Sequence, residues 1–201
     1  MTTFYKFEHN IPYIDKYLHG LATNVAVKAL HRSIDRSASM GRTIIVQSVY
    51  KKLNIKQQEI RGRVQIKKSL STQYIEQIEA EILIKSKNIS LSKFVTGKFL
   101  ERKIKRPSRY HKSASKGLTV EIFRKRKNEI IGSFAGKQRQ TGGILLFKRR
   151  EKKRLPLNEL YGPGVASVFS MQEVMVDFDT KTREYLIKNF YRDFAYYLKK
   201  I

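Results

Sequence analysis

Thirty of the chain's 42 lysines and arginines fall between residues 51 and 154, against only eight acidic side chains. That stretch therefore carries a formal +22, and it can fold only if its cations stand at strand ends, turns and loops where water or a partner solvates them. The flanks differ. Residues 1–50 hold six basic and three acidic side chains, and residues 155–201 hold six of each. The middle of the chain is the electrostatic face, while both ends have the patterning of ordinary globular material. Eleven Tyr and eleven Phe exclude a wholly disordered basic tail, because such tails lack aromatic residues. A net +25 on a chain of this kind points to a polyanionic partner or to an assembly whose neighbours neutralise it.

From Ile11 to about Leu53, apolar residues recur at Ile14, Leu18, Leu21, Val25, Leu30, Ile34, Ala38, Ile45 and Val49. Most steps are three, four or seven, the period of an amphipathic helix. Pro12 is tolerated near a helix start, and Gly41 marks a candidate kink or break. Ser37-Ala38-Ser39 are small enough to let another helix approach closely. Asn54 punctuates, and IKQQEIRGRV from Ile55 reads as a short second helix weakened by Gly62. At the other end, from about Met171, Val174, Phe178, Leu186, Phe190, Phe194, Tyr197 and Ile201 predict a long amphipathic helix.

The middle changes period. EAEILIKSK from Glu79 and ISLSKF from Ile89 alternate polar and apolar, as half-buried strands do. Residues 101–117 carry many Lys, Arg and Ser with few large apolar residues, which predicts an extended basic loop. GLTVEIF, EIIGSFAG and GGILLFKR supply three further strands, joined by the turn-rich connections KRKN and KQRQTGG as in an antiparallel meander. RLPLNELYGPG from Arg154 is irregular. The whole predicts one α+β domain over 1–201: an N-terminal helix region (11–53), a basic β-sheet region (79–150) and a C-terminal helix (171–200).

Motifs for catalysis are missing. His9, His19, His31 and His111 have no metal-ligand spacing, and His31 with Asp35, four apart, reads as a surface ion pair on a helix. Gly136-Lys137 and Gly97-Lys98 lack the following Ser or Thr of a phosphate-cradling loop. Glu79, Glu81 and Lys85 alternate along a strand as in a two-metal nuclease, but solvated strand faces look the same. The expectation is a protein that is not an enzyme, with no cofactor and no metal. Without Cys, disulfides and Cys-based zinc sites are excluded. No stretch approaches the about 18 apolar residues of a membrane span, and MTTFYKFEHN lacks the basic-then-apolar order of an export signal.

The candidate binding residues form three dense clusters: Lys103, Lys105, Arg106, Arg109 and Lys112; Arg124, Lys125, Arg126 and Lys127; and Lys148, Arg149 and Arg150. Interleaved with Tyr110, Phe123 and Phe147, they suit phosphates by charge and bases by stacking. No helix-turn-helix, zinc finger or ribonucleoprotein motif accompanies them, so nucleic-acid contact would be to backbone, non-specific and salt-dependent.

Residues Lys28 to Ser69 resemble the N-terminal half of the tailed-phage minor tail protein Z family. The family's long helix with Arg and small residues, then a tyrosine followed by "xxxIKxxxI", has its counterparts at Arg32, Arg36, Thr43, Tyr50, Ile55-Lys56 and Ile60, with Ile66 and Lys67 beyond. ISLSKF is similar to the family's "IPLxKF". RLPLNELYGPGVASVF is similar to "RLPIxxLYGPSVPxxF", through Arg154, Leu155, Pro156, Leu160, Tyr161, Gly162 and Pro163. The likeness runs in order over about 170 residues. Gly164 and Ala166 depart from the family's frequent Ser and Pro, and the 101–117 loop is longer and more charged.

The resemblance implies a structural virion protein without catalytic groups, a tail-completion component at the head-proximal end of the tail. It implies a self-assembled ring, often a hexamer, beside the tail terminator, tail tube and head–tail connector proteins. The phage DNA end would be held non-specifically, and the protein would pass through the host cytoplasm during assembly, with no membrane. The alternative reading is a non-specific RNA- or DNA-binding module of ribosome- or nucleoid-associated type.

Overall fold

Small and branched apolar side chains returning every three or four positions make Thr23–Lys52 one thirty-residue helix, α1. Ala29, Leu30, Ile34, Ala38, Ile45 and Val49 are all buried, so the stripe read from the sequence faces a core. Gly41 does not divide the helix and is itself buried. A mid-helix glycine costs only about 1 kcal/mol, less than the roughly 1.5–3 kcal/mol gained by burying each of Ile44 and Ile45 beside it. Lys51 and Lys52 in the last turn complement the negative end of the helix dipole.

The computed structural model describes residues 2–6, 23–69, 78–95, 118–138, 142–151 and 155–199. Predicted features at 7–22, 70–77, 96–117, 139–141, 152–154 and 200–201 lie outside the described residues, including the start of the N-terminal helix, the whole basic loop and Ile201. The chain divides into two compact units: 1–49, 57–86 and 166–201, and 50–56 with 87–165. The fold is α+β as expected, with its two long helices and small antiparallel sheets.

In the first unit, side chains of α1 from Arg32 to Ser48 meet the C-terminal helix. Asn189 donates to the Ser37 hydroxyl at 3.2 Å, Arg36 pairs with Asp193, and Ser48 donates to Asp177 at 3.2 Å. Partner numbers fall as α1 numbers rise, so the two helices run antiparallel. Of the three small residues, Ser37 and Ala38 are buried at this seam, while Ser39 is exposed and bonds back to Asp35 O at 2.9 Å. Ser33 likewise satisfies its hydroxyl on Leu30 O, which lets a polar side chain sit mid-helix. Ala29, Leu30, Ile34 and Ala38 share a core cluster with Ile78, Ala80, Leu186 and Phe190.

After α1 come the five-residue helix α2 (Gln57–Arg61) and strand β2 (Val64–Lys67). The expected helix through Val64 is therefore cut short: Gly62 closes α2 on Gln58 O, and VQIK joins a sheet. Strand β3 (Glu81–Lys85) lies between β2 and β1 (Thr2–Lys6), a pairing partner that the sequence reading did not include. Ile82 and Ile84 point one way into the core, the expected alternation. The short helix α3 (Val165–Phe169) leads into α4 (Gln172–Leu198), with Phe169 edge-on to Phe178 at 5.3 Å. The stripe of α4 holds at Val174, Phe178, Leu186 and Phe190, with Phe194 and Tyr197 half-buried.

In the second unit ISLSKF departs from the expected strand. Only β4 (Ile89–Ser90) is extended, and Leu91–Phe94 wind into a 3-10 turn. Both Leu91 and Phe94 are buried. A strand would send them to opposite faces, whereas a turn of three residues stacks them on one. EIIGSFAG is not one strand either. Strand β6 (Asn128–Ile130) pairs with β5 (Leu118–Val120), the chain turns at Ile131 and Gly132, and β7 (Ser133–Lys137) pairs with β8 (Ile144–Arg149). Gly132 supplies the φ of 76° that the corner demands. The Ser133 hydroxyl locks the corner, donating to Ile130 O at 2.6 Å and accepting from Leu118 N at 3.0 Å.

RLPLNELYGPG, read as irregular, becomes a two-sided strap. A cis Leu155–Pro156 bond precedes β9 (Leu157–Glu159), which extends the β7–β8 sheet, and β10 (Tyr161–Gly162) pairs with β4. Between them Leu160 donates to Leu146 O and accepts from Leu91 N. Gly162 has no room for a side chain: a Cβ there would lie 2.8 Å from Phe94 Cε2 and 3.2 Å from Leu91 Cδ2. Gly162→Ala should lower stability by about 1–3 kcal/mol through overpacking, measured by urea denaturation, and Phe94→Leu in the same chain should recover part of it.

Candidate polyanion-binding surfaces

The chain leaving α1 and the β5–β6 connection share a backbone ladder in the second unit. Asn54 N donates to Ile122 O at 2.9 Å, Arg124 N to Lys52 O at 3.0 Å, and Leu53 bridges Phe123. Phe123 is thereby half-buried rather than offered to a base. Arg124 is also committed: its Nε donates to Tyr50 O at 2.7 Å and its guanidinium lies 4.1 Å from the centre of the Tyr50 ring. It fastens the turn. Lys125, Arg126 and Lys127 are exposed, with no acidic partner for their side chains among the described residues. Lys125 takes a left-handed φ of 68°, held by Glu121, which accepts its N–H at 2.8 Å.

The other described cluster ends strand β8. Lys148, Arg149 and Arg150 are exposed, and Arg149 lies 5.7 Å from the centre of the Phe134 ring. Phe134 in turn packs on its cross-strand partner Phe147 at 6.1 Å. The strap runs directly alongside, with Lys148 opposite Asn158, Arg149 opposite Leu157, and Arg150 N donating to Pro156 O. The structure thus joins two features that lie apart in the sequence reading. Lys103, Lys105, Arg106, Arg109, Lys112, Tyr110 and Arg154 lie outside the described residues. Within the strap, Leu155 and Pro156 are exposed and Pro163 is half-buried. The Tyr161 hydroxyl donates to Glu159 at 2.7 Å, which raises its pKa above the ordinary phenol value.

Sequence reading missed a third gathering of cations, in the first unit. A groove of about 920 Å³ runs along the α1–α4 seam. Lys28, Arg32 and Arg36 line it from α1 and Lys188 and Arg192 from α4, with Lys68 beside them. The signal was present as four-residue spacing, hidden because counting charge by segment cancels cations against acids on other faces. Arg32 rests 5.4 Å from the centre of the Tyr196 ring, and a hydrogen bond with Tyr197 raises its pKa further above the usual guanidinium range. Asp193, buried beneath, accepts from Arg36 and sits 3.7 Å from Arg192 Nε. The expected His31–Asp35 pair is replaced: Asp35 accepts from both the backbone N and the hydroxyl of Ser69 at 2.9 Å, and His31 Nε2 has no partner among the described residues.

Glu81, one of the nuclease candidates, is bonded to Lys67 at 3.3 Å, and Lys85 is exposed. Among the described residues no group of three or more His, Cys, Asp or Glu could hold a metal ion. No described helix is long and apolar enough to cross a membrane.

Residues 14–201 match the family described as prophage minor tail protein Z (GPZ). The chain belongs to that family. It is thereby a structural protein of the phage tail, a virion component. No curated protein and no solved structure matches it. In this minor tail protein the strap and the half-buried Arg124 are architecture, and the exposed cations beside them are what remains for a partner. Arg124→Ala should lower stability by about 1–2 kcal/mol, from its hydrogen bond and ring contact together. Replacing Lys125, Arg126 and Lys127 with Gln should change stability by about 0.5 kcal/mol or less while weakening retention on a heparin column. Thermal and denaturant melts of the two variants check the contrast.

The Asp193 clamp sets its own test. Asp193→Asn removes the buried carboxylate charge that two arginines face, and it should cost about 1–3 kcal/mol. Lys67→Ala, which breaks an exposed pair, should cost under about 1 kcal/mol. Equal costs in paired urea titrations would contradict that ranking.

Proposed function

We propose that this minor tail protein completes the tail at its head-proximal end, acting in tail assembly, head–tail joining and placement of the DNA end. It does so as a ring of its own copies, often six-fold, against the tail terminator, tail tube and head–tail connector proteins. The observation that carries this reading is family membership across residues 14–201 together with exposed cations at Lys125–Lys127 and Lys148–Arg150. Several copies of a +22 segment around one axis concentrate positive potential where a DNA end passes, and release of counterions holds the phosphates without reading bases. No step here calls for a catalytic group, a metal or a cofactor. The protein would be made in the host cytoplasm and end in the virion neck. Membership in a tail family favours this over a free-standing RNA- or DNA-binding module.

Electron cryomicroscopy of virions, with this chain traced into the density, tests the proposal. A ring between tail tube and head connector is the expected result. Density for the chain at the distal tip, or in the capsid interior only, would overturn it.

A further inference from the structure

The groove between α1 and α4 carries more than a basic surface does. Lys28, Arg32 and Arg36 stand at every fourth residue of one helix, in steps of about 6 Å along its axis. Lys188 and Arg192 repeat the same step on the antiparallel helix opposite. Two parallel rows of cations at regular spacing match a linear polyanion with a regular charge repeat, of the order of successive phosphates along a strand. Among the described residues one carboxylate, Asp35, lines the groove, and Ser69 donates to its Oδ1 twice. Arg36 is tied from below to the buried Asp193, and Arg192 donates to Asn189 Oδ1 at 3.0 Å, so both guanidinium groups are positioned before any ligand arrives. Lys28, Lys68 and Lys188 are exposed and have no partner among the described residues. Tyr185 and Tyr197 add aromatic surface to the walls, the chemistry on which unpaired bases stack.

We infer that this groove binds one phosphodiester strand, through its phosphates and without reading sequence. Packed helices lie about 8–10 Å apart, too close for a whole duplex to settle between them. The strand is therefore either single-stranded or one backbone at a duplex end. The inference deepens the DNA-end reading above and takes the identity of its ligand from it. It differs in placing the contact in the first unit, where every groove cation except Lys68 comes from the flanks outside residues 51–154.

The test uses the full chain, a fluorescein-labelled oligothymidylate and a blunt duplex of the same length, read by anisotropy across a salt series. Lys28→Gln/Lys68→Gln/Lys188→Gln should weaken binding about tenfold or more at low salt. It should also flatten the plot of log affinity against log salt by about 2, since each lost phosphate contact removes about 0.7 for a single strand. A loss confined to the oligothymidylate identifies a free strand, and a matching loss with the duplex identifies a backbone at its end. As a readout independent of any variant, 5-iodouracil placed in the strand should photocrosslink the unmutated chain at Tyr185 or Tyr197. An unchanged salt slope in the triple variant with crosslinks only at Phe134 or Phe147 would overturn the groove, while leaving the DNA-end reading standing. Binding of polyglutamate but not of either oligonucleotide would overturn it in favour of an acidic protein neighbour. If the groove binds the strand but virions show the chain at the tail tip, the DNA-end reading falls and the groove does not.

Discussion

The antiparallel seam between α1 and α4 is the contact on which the first unit depends. Its apolar part, Ala29, Leu30, Ile34 and Ala38 against Leu186 and Phe190, supplies the area removed from water. Its polar part fixes register. The Ser37–Asn189 bond and the Asp193 clamp on Arg36 have partners in only one alignment of the helices, and a shift of one turn would strand a buried carboxylate. Ser37 and Ala38 are both buried at that register. Arg32, Arg36 and Arg192 stand at the solvent edge of the same seam, so the seam that forms the core also forms the basic groove.

Positive charge is handled differently in the second unit. There the cations are carried at turns and strand ends, as a segment with 30 basic and eight acidic side chains requires. The backbone is held by the ladder from Leu53 and Asn54 to Ile122 and Phe123, and by the strap from Leu157 to Gly162. Arg124 shows how closely structural and available cations are interspersed. It is stacked on Tyr50, while the next three residues face solvent. Counting a cluster as a site therefore overstates it, since one member of four is part of the scaffold.

Periodicity made the two long helices legible, because a stripe repeated over many turns is unambiguous. Short segments were not. Leu91 and Phe94 fit a strand by alternation of type but needed a 3-10 turn to be buried together. The corner at Gly132 was invisible because Ile130, Ile131 and Phe134 look like one apolar run. VQIK was absorbed into the helix before it, since four residues cannot establish a period of their own. The family-like RLPLNELYGPG was recognised by its letters, yet its physical role appeared only in the structure, where Gly162 lies against Phe94 and β9 flanks the basic end of β8. The groove was missed for a different reason. Residues 155–201 sum to zero charge, but a helix separates its charges by face, and Lys188 and Arg192 share one.

The central claim is that α1 and α4 pack antiparallel in one register, and the lack of any native cysteine permits a direct measurement. In Ser37→Cys/Asn189→Cys the two thiols replace groups now in hydrogen-bond contact at 3.2 Å. Ser48→Cys/Asn189→Cys places the first thiol eleven residues farther along α1, about 16 Å away. Under mild oxidation of the folded monomer, non-reducing electrophoresis and peptide mapping should find a crosslink in the first variant and none in the second. A crosslink in the second variant alone, or in neither, would contradict the seam and the groove built on it.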